Sequence, residues 1–141
     1  MMMTRGKFEG KHSKLTEKIL GAFFQVHKEL GYGFSEKVYE NALAMLLIEM
    51  GLKVEQQMHL YVFCHGRVVG EYIADLVIND TVLMELKATQ KIIEDHAAQL
   101  LNYLKATNIE VGPVLNFGPN AEFRRKIYDN ERKGSLSWIK Q

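Results

Sequence analysis

The chain has 141 residues, with 18 Lys and Arg against 17 Asp and Glu, a net charge of +1, 47% apolar residues and 25% charged ones. That is length for one domain with a real core rather than two, in the composition of an ordinary globular protein. A charge so near zero excludes a global field steering the molecule to nucleic acid or membrane, so a polyanion site has to be a local patch.

The single Cys64 cannot form an internal disulfide, which fits a reducing, cytoplasmic setting, and it reads as a half-buried strand residue. No stretch has the length of a signal peptide's apolar region or of a bilayer span. Residues 1–12 read as a mobile basic arm and 13–141 as one domain. From Leu15, apolar residues recur at Ile19, Ala22, Phe23, Val26 and Leu30, a helical spacing that Ser13 or Thr16 can cap and Gly31 and Gly33 end. Ser35 is a natural N-cap for a second helix, with Val38, Ala42, Leu43, Leu46, Leu47 and Met50 as its inner face and Gly51 as its stop. Alternation then takes over from Leu52 to Val62, and His65-Gly66 turns a hairpin whose sheet continues through Val68–Ile78 and Val82–Ala88. Helical spacing returns from Ile92 to about Asn108, and Val111–Asn116 is a short apolar strand. The remaining basic segment is left unassigned. The expected fold is one α/β domain, a mixed sheet flanked by helices with a helical pair at its start.

The stretch Tyr72–Lys87 carries Asp75, Glu85 and Lys87 in an apolar setting, where charges are costly unless paired or metal-bound. Period 2 puts Glu85 and Lys87 on one face with Leu86 on the other. A buried Glu85–Lys87 ion pair is the bland alternative. Gln99 and Tyr103, four apart, share one helical face, and Glu36 sits in the first turn of the second helix. An acid there suits any helix N-terminus.

The order of elements, with Asp75, Glu85-Leu86-Lys87 and then Gln99-x-x-x-Tyr103 on a helix, resembles the PD-(D/E)xK nuclease superfamily, restriction-endonuclease-like in fold, and the Gln-Tyr pair is similar to its RecB-type branch. Gly33-Phe34-Ser35-Glu36-Lys37-Val38-Tyr39, with the later run from His96 to Gly118, resembles more closely the GxxExxY proteins within it. Ala74 stands where the superfamily name has proline. The resemblance implies a metal-dependent nuclease hydrolysing phosphodiester bonds. Asp75, Glu85, the Leu86 carbonyl and Glu36 would hold Mg2+ or Mn2+, and Lys87 would orient or deprotonate the attacking water. Gln99, Tyr103 and His96 would contact nucleic acid, DNA being favoured. Tyr39 would pack beneath the site and hold Glu36.

Arg124, Arg125 and Lys126, with Arg132 and Lys133, are either a solvated surface or a strip for the phosphate backbone. The five His show no zinc spacing, and Met45, Met50, Met58 and Met84 read as core. Two rivals stand beside the nuclease: a catalytically weak or inactive nuclease-fold module that binds nucleic acid or a protein partner, and a plain oligomeric α/β protein. No membrane partner is expected, and a homodimer is left open. One count constrains everything. A two-residue loop Asn79-Asp80 would pair Ile78 with Thr81 and send Asp75 to the sheet face opposite Glu85. A shared site needs the three-residue loop Asn79-Asp80-Thr81 or a bulge, with the two carboxylates roughly 4 to 5 Å apart across one metal.

Overall fold

The computed structural model describes residues 10–134. The proposed basic arm falls mostly outside them, and its last part is docked: Lys11 pairs with Glu110 at 3.3 Å and Asp129 at 3.6 Å.

Helix α1 (Ser13–Leu30) buries Ile19, Leu20, Ala22, Phe23 and Val26. Neither Ser13 nor Thr16 caps it: the cap position is His12, left-handed at φ 56°, and Thr16 is buried against the core. Helix α2 (Glu36–Glu49) starts after Ser35 as expected, but its inner face is turned to Tyr39, Glu40, Leu43, Ala44 and Leu47. Val38 and Met50 are exposed instead, and so is Met45; of the methionines read as core, Met84 alone is fully buried, while Met58 is partly so.

Tyr39 sets that rotation. Its ring stacks on Phe117 with centroids 4.5 Å apart and planes 10° apart. Its hydroxyl donates to the Gly31 carbonyl at 2.6 Å and accepts the Phe34 N–H at 3.2 Å. The α1–α2 loop is therefore held from inside by one phenol, with Gly33 supplying a φ of 114° that a side chain would resist. Tyr39 thus braces the loop before Glu36, with no direct bond to that carboxylate.

Among the described residues five strands form one sheet in the order of the chain: β1 (Val54–Cys64), β2 (Arg67–Ile78), β3 (Val82–Lys87), β4 (Val111–Phe117) and β5 (Ala121–Ile127), with helix α3 (Glu94–Lys105) between β3 and β4. The β3–β4 pair is parallel and the others antiparallel, giving the mixed sheet expected. One face packs Leu76, Ile78, Met84, Leu86 and Leu115 against α1 and α2, and the other packs Val77, Leu83 and Val114 against Leu100, Tyr103 and Leu104 of α3. The unassigned basic segment opens as β5, whose Ala121 and Phe123 pack on the α1 side while Glu122, Arg124 and Lys126 take the alternate positions; its last residues, 135–141, lie outside the described ones.

The β1–β2 hairpin turns at His65-Gly66, with φ 51° and 75°, and carries a bulge at Val62/Phe63. Cys64 at its end is exposed, not half-buried. Further down, Gln56 pairs with Leu76 and Met58 with Ala74, yet Gln57 and Asp75 between them do not pair, and Gln57 is left-handed at φ 54°. Such a conformation costs a non-glycine residue of order 1–3 kcal/mol. It also rolls both strands over. Val54, Leu76 and Ile78 belong to the α1/α2 core, whereas Met58, Leu60, Tyr72 and Ala74, all at even positions too, belong to the α3 core.

Between β3 and β4 the backbones meet so closely that a Cβ on Gly112 would lie 1.9 Å from the Leu83 carbonyl oxygen. Gly112→Ala should therefore pry β3 from β4 and cost at least about 2 kcal/mol in chemical denaturation. A neutral Gly112→Ala would contradict this packing.

Candidate active site

Leu76 pairs with Met84, Val77 with Leu83 and Ile78 with Val82, so the β2–β3 loop is the three-residue Asn79-Asp80-Thr81. Asn79 and Asp80 are both left-handed, which their short polar side chains tolerate. The loop is bolted to β1: Lys53 N–H donates to Asn79 Oδ1 at 2.8 Å and Lys53 Nζ to Asp80 Oδ2 at 2.9 Å. This register sets Asp75 opposite Glu85, as a shared site requires.

At that rung the ladder ends and the strands part. Side chains replace the lost main-chain bonds: the Leu86 N–H donates to Asp75 Oδ2 at 2.7 Å, and the Asp75 N–H to Glu85 Oε1 at 3.4 Å. Each carboxylate therefore reaches across the fork to the other strand. Glu85 is 4% exposed. Burial first, and then the charge of Asp75, push its carboxyl up to about 8, against the Asp75 N–H and the charge of Lys87. Burial likewise raises Asp75, against the Leu86 N–H, with Glu40 and Glu36 adding to the rise.

Lys87 does not neutralise this pair by contact. Among the described residues it forms no ion pair, so the bland reading of a Glu85–Lys87 bridge does not hold. Its charge is felt at Glu85 and at His96 of α3, while Leu86 packs on the α1/α2 side, so the expected division of faces is present. His96 lies at the start of α3, where its Nδ1 accepts the Ile93 N–H at 3.2 Å. Burial, followed by Lys87, lowers its proton affinity. Tyr103 is buried against the fork, and burial with the charges of Glu85 and Asp75 pushes its hydroxyl up to about 12 against a hydrogen bond from exposed Gln99. Glu36 is exposed at the rim, near enough for its charge to act on Asp75, Glu85 and His96.

The basic run is divided by strand alternation. Arg124 sits on the α3 side, pairing with Glu94 at 3.3 Å and close enough to affect His96, whereas Arg125 turns to the Lys11 carbonyl on the α1 side. Lys126, two positions from Arg124, shares its side of the strand. Arg132 lies over the Tyr128 ring at 4.6 Å, and Lys133 donates to the Thr107 and Ile109 carbonyls, both at 2.9 Å. The five cations are not one strip.

Three polar groups at the fork escape a reading of the sequence. Glu40, one turn beyond Glu36, is buried and accepts from Gln56 at 2.8 Å and Gln57 at 2.7 Å, and Gln57 reaches Asp75 Oδ1 at 3.3 Å. Only the i, i+4 spacing from Glu36 hinted at it. Asn116, wholly buried beside Lys87 in the β3–β4 ladder, accepts the Thr89 N–H at 2.9 Å and donates to its carbonyl at 3.0 Å, fixing the chain as it leaves β3.

A family model described as the PD-(D/E)XK nuclease superfamily matches residues 13–127. The chain belongs to the PD-(D/E)XK nuclease superfamily. Its mixed sheet with flanking helices is the restriction-endonuclease-like α/β fold of that superfamily. The crystal structure of SSO0001 is similar at a TM-score of 0.54 and 16% identity, over 89% of this chain and 62% of that one. The chain thus spans less than two thirds of that relative. A crystal structure of an alkaline exonuclease (LHK-Exo) from Laribacter hongkongensis superposes at a TM-score of 0.42 with 13% identity, over 91% of this chain and 76% of that one. Among curated proteins none matches.

PD-(D/E)XK nucleases generally use divalent metals and act on nucleic acid. Hard carboxylate oxygens with a shortage of nearby positive charge suit Mg2+ or Mn2+. Among the described residues no three carboxylate, imidazole or thiolate groups converge into a ready cage, so any shell around Asp75 and Glu85 would need main-chain oxygen, water or an inward movement of Glu36 to complete it.

Without a cation, Glu85 in the folded protein keeps a proton that the unfolded chain releases above its ordinary 4.5, up to about 8. The folded state then binds more protons, so stability falls as pH rises through that window. The melting temperature of cation-free protein should drop between pH 5 and 8, and Glu85→Gln should flatten the drop and melt higher than wild type at pH 8. The same slope in both proteins would contradict a strained carboxyl.

Proposed function

We propose that this protein is a metal-dependent nuclease, cutting phosphodiester bonds of nucleic acid, DNA before RNA, with Asp75, Glu85 and Lys87 as its catalytic residues. The carrying observation is the fork, where two carboxylates from separate strands cross at one rung beside a half-buried lysine that is unpaired among the described residues. Asp75, Glu85 and the Leu86 carbonyl would hold Mg2+ or Mn2+, with Glu36 closing from the rim. The bound ion supplies Lewis-acid polarisation of the phosphate and an acidified water. Lys87, uncommitted to any described carboxylate, would orient that water and offset charge developing on the phosphate oxygens. Gln99 and Tyr103, with His96 beside them, form the α3 wall of the fork, where an amide and a phenol can meet a phosphate or a base edge. Arg124 and Lys126 extend this wall with positive charge on the same side; Arg125 is directed elsewhere. The Gly33, Glu36 and Tyr39 spacing supports placing the chain among the GxxExxY proteins, and Gln99 with Tyr103 supports the RecB-type branch. The setting we infer is cytoplasmic.

Purified protein with labelled single- and double-stranded DNA and RNA in Mg2+, Mn2+ or EDTA tests this, with Glu85→Ala as the control for contaminants. Cleavage should need the metal and vanish in Glu85→Ala. Lys87→Ala should lose about 10²–10³ in rate while keeping the rise in melting temperature that Mn2+ gives wild type. Loss of that rise in Lys87→Ala would show that the roles are wrongly divided.

A further inference from the structure

Gln56 and Gln57 are consecutive strand residues, whose side chains in regular β structure point to opposite faces. Here both amides reach the same carboxylate, Gln57 Nε2 to Glu40 Oε1 at 2.7 Å and Gln56 Nε2 to Glu40 Oε2 at 2.8 Å. The left-handed backbone of Gln57, φ 54°, makes this convergence possible. The second hydrogen of the Gln57 amide is directed at Asp75 Oδ1, 3.3 Å away. With the Leu86 N–H on Oδ2 at 2.7 Å, the Asp75 carboxylate is held from both neighbouring strands. Glu40 is itself fixed: it is 4% exposed, and Lys37 Nζ adds a contact to Oε2 at 3.3 Å. Backbone strain of this kind, at a rung where the sheet rolls over beside a candidate site, persists only where its surroundings enforce it.

We propose that Gln57 is a positioning residue for Asp75 and that Glu40, from α2, anchors Gln57, so that helix, edge strand and metal-binding carboxylate form one clamp. The inference rests on the reading of Asp75 and Glu85 as the site, and assigns Gln57 and Glu40 no direct part in the chemistry. The clamp has three bodies. Gln57 carries the orientation of α2 to Asp75, and so couples the helix bearing Glu36 to the strand fork.

The test measures hydrogen exchange at the Leu86 amide, whose acceptor is Asp75, in Gln57→Gly, Glu40→Ala and Glu40→Gln, together with cleavage kinetics. Glycine adopts a φ of 54° without strain, so Gln57→Gly should melt cooperatively at or above the wild-type temperature. Its Leu86 amide should nevertheless exchange roughly tenfold faster or more, as expected for losing one bond to a charged group. The Leu83 amide, inside the ladder, serves as the unchanged control. Glu40→Ala should match Gln57→Gly, and Glu40→Gln, whose amide carbonyl still accepts from Gln57, should return exchange towards wild type. In cleavage the first two should lose kcat with KM for nucleic acid unchanged. Wild-type Leu86 exchange in Gln57→Gly would overturn the clamp, even if cleavage were lost. A wild-type protein that cleaves nothing would overturn the nuclease reading, while Leu86 exchange would still decide the clamp.

Discussion

The structure turns on two hydrogen bonds that cross between parting strands. A β ladder that ends abruptly leaves main-chain N–H groups without carbonyl partners, and a buried orphan costs about as much as a lost hydrogen bond. Here the side chains of Asp75 and Glu85 take the place of those carbonyls, each on the opposite strand. The fork is thereby closed by two negative groups rather than two neutral ones. Closing it this way brings carboxylates together in a buried place where each opposes the ionisation of its neighbours, and the strain is relieved by protonation or by a cation. Strand separation and the crowding of the two carboxylates are two sides of one arrangement.

The rest of the domain keeps that fork open and in register. A loop one residue shorter would have sent Asp75 to the other face, and Lys53 guards the length by holding both Asn79 and Asp80. The parallel β3–β4 pair, tightened at Gly112, fixes the strand that carries Glu85 and Lys87. Asn116 and Glu122 then tie down the chain between Lys87 and α3, Asn116 through Thr89 and Glu122 through the Ile92 N–H at 3.1 Å. On the other flank Tyr39 stacks on Phe117 and holds the loop from which α2 starts, which puts Glu36 and Glu40 one helical turn apart beside the fork.

Much of this is legible in the sequence. Asp75, Glu85 and Lys87 stand out because charges in apolar strands need a reason, and counting residues in the loop gave the one condition under which they could meet. What stayed hidden has physical causes. β5 was unreadable because Glu122, Arg124, Arg125 and Lys126 mask the alternation of Ala121 and Phe123. The inner face of α2 escapes an apolar-spacing reading because Tyr39 and Glu40, amphipathic and charged, displace Val38 and Met50 from it, and the amides that hold Glu40 there come from Gln56 and Gln57 on β1. Gln57 was invisible for a sharper reason. No local signal in a glutamine foretells a left-handed backbone inside a strand, and the partners that enforce it come from α2 and β2.

Anomalous diffraction from crystals grown with Mn2+ locates the ion without relying on turnover. A single strong peak is expected beside the Asp75 and Glu85 carboxylates at the fork, absent in Glu85→Ala crystals grown in the same way. A fork that stays empty at millimolar Mn2+, or a peak held by other side chains with Asp75 and Glu85 uninvolved, would contradict a metal site at the fork.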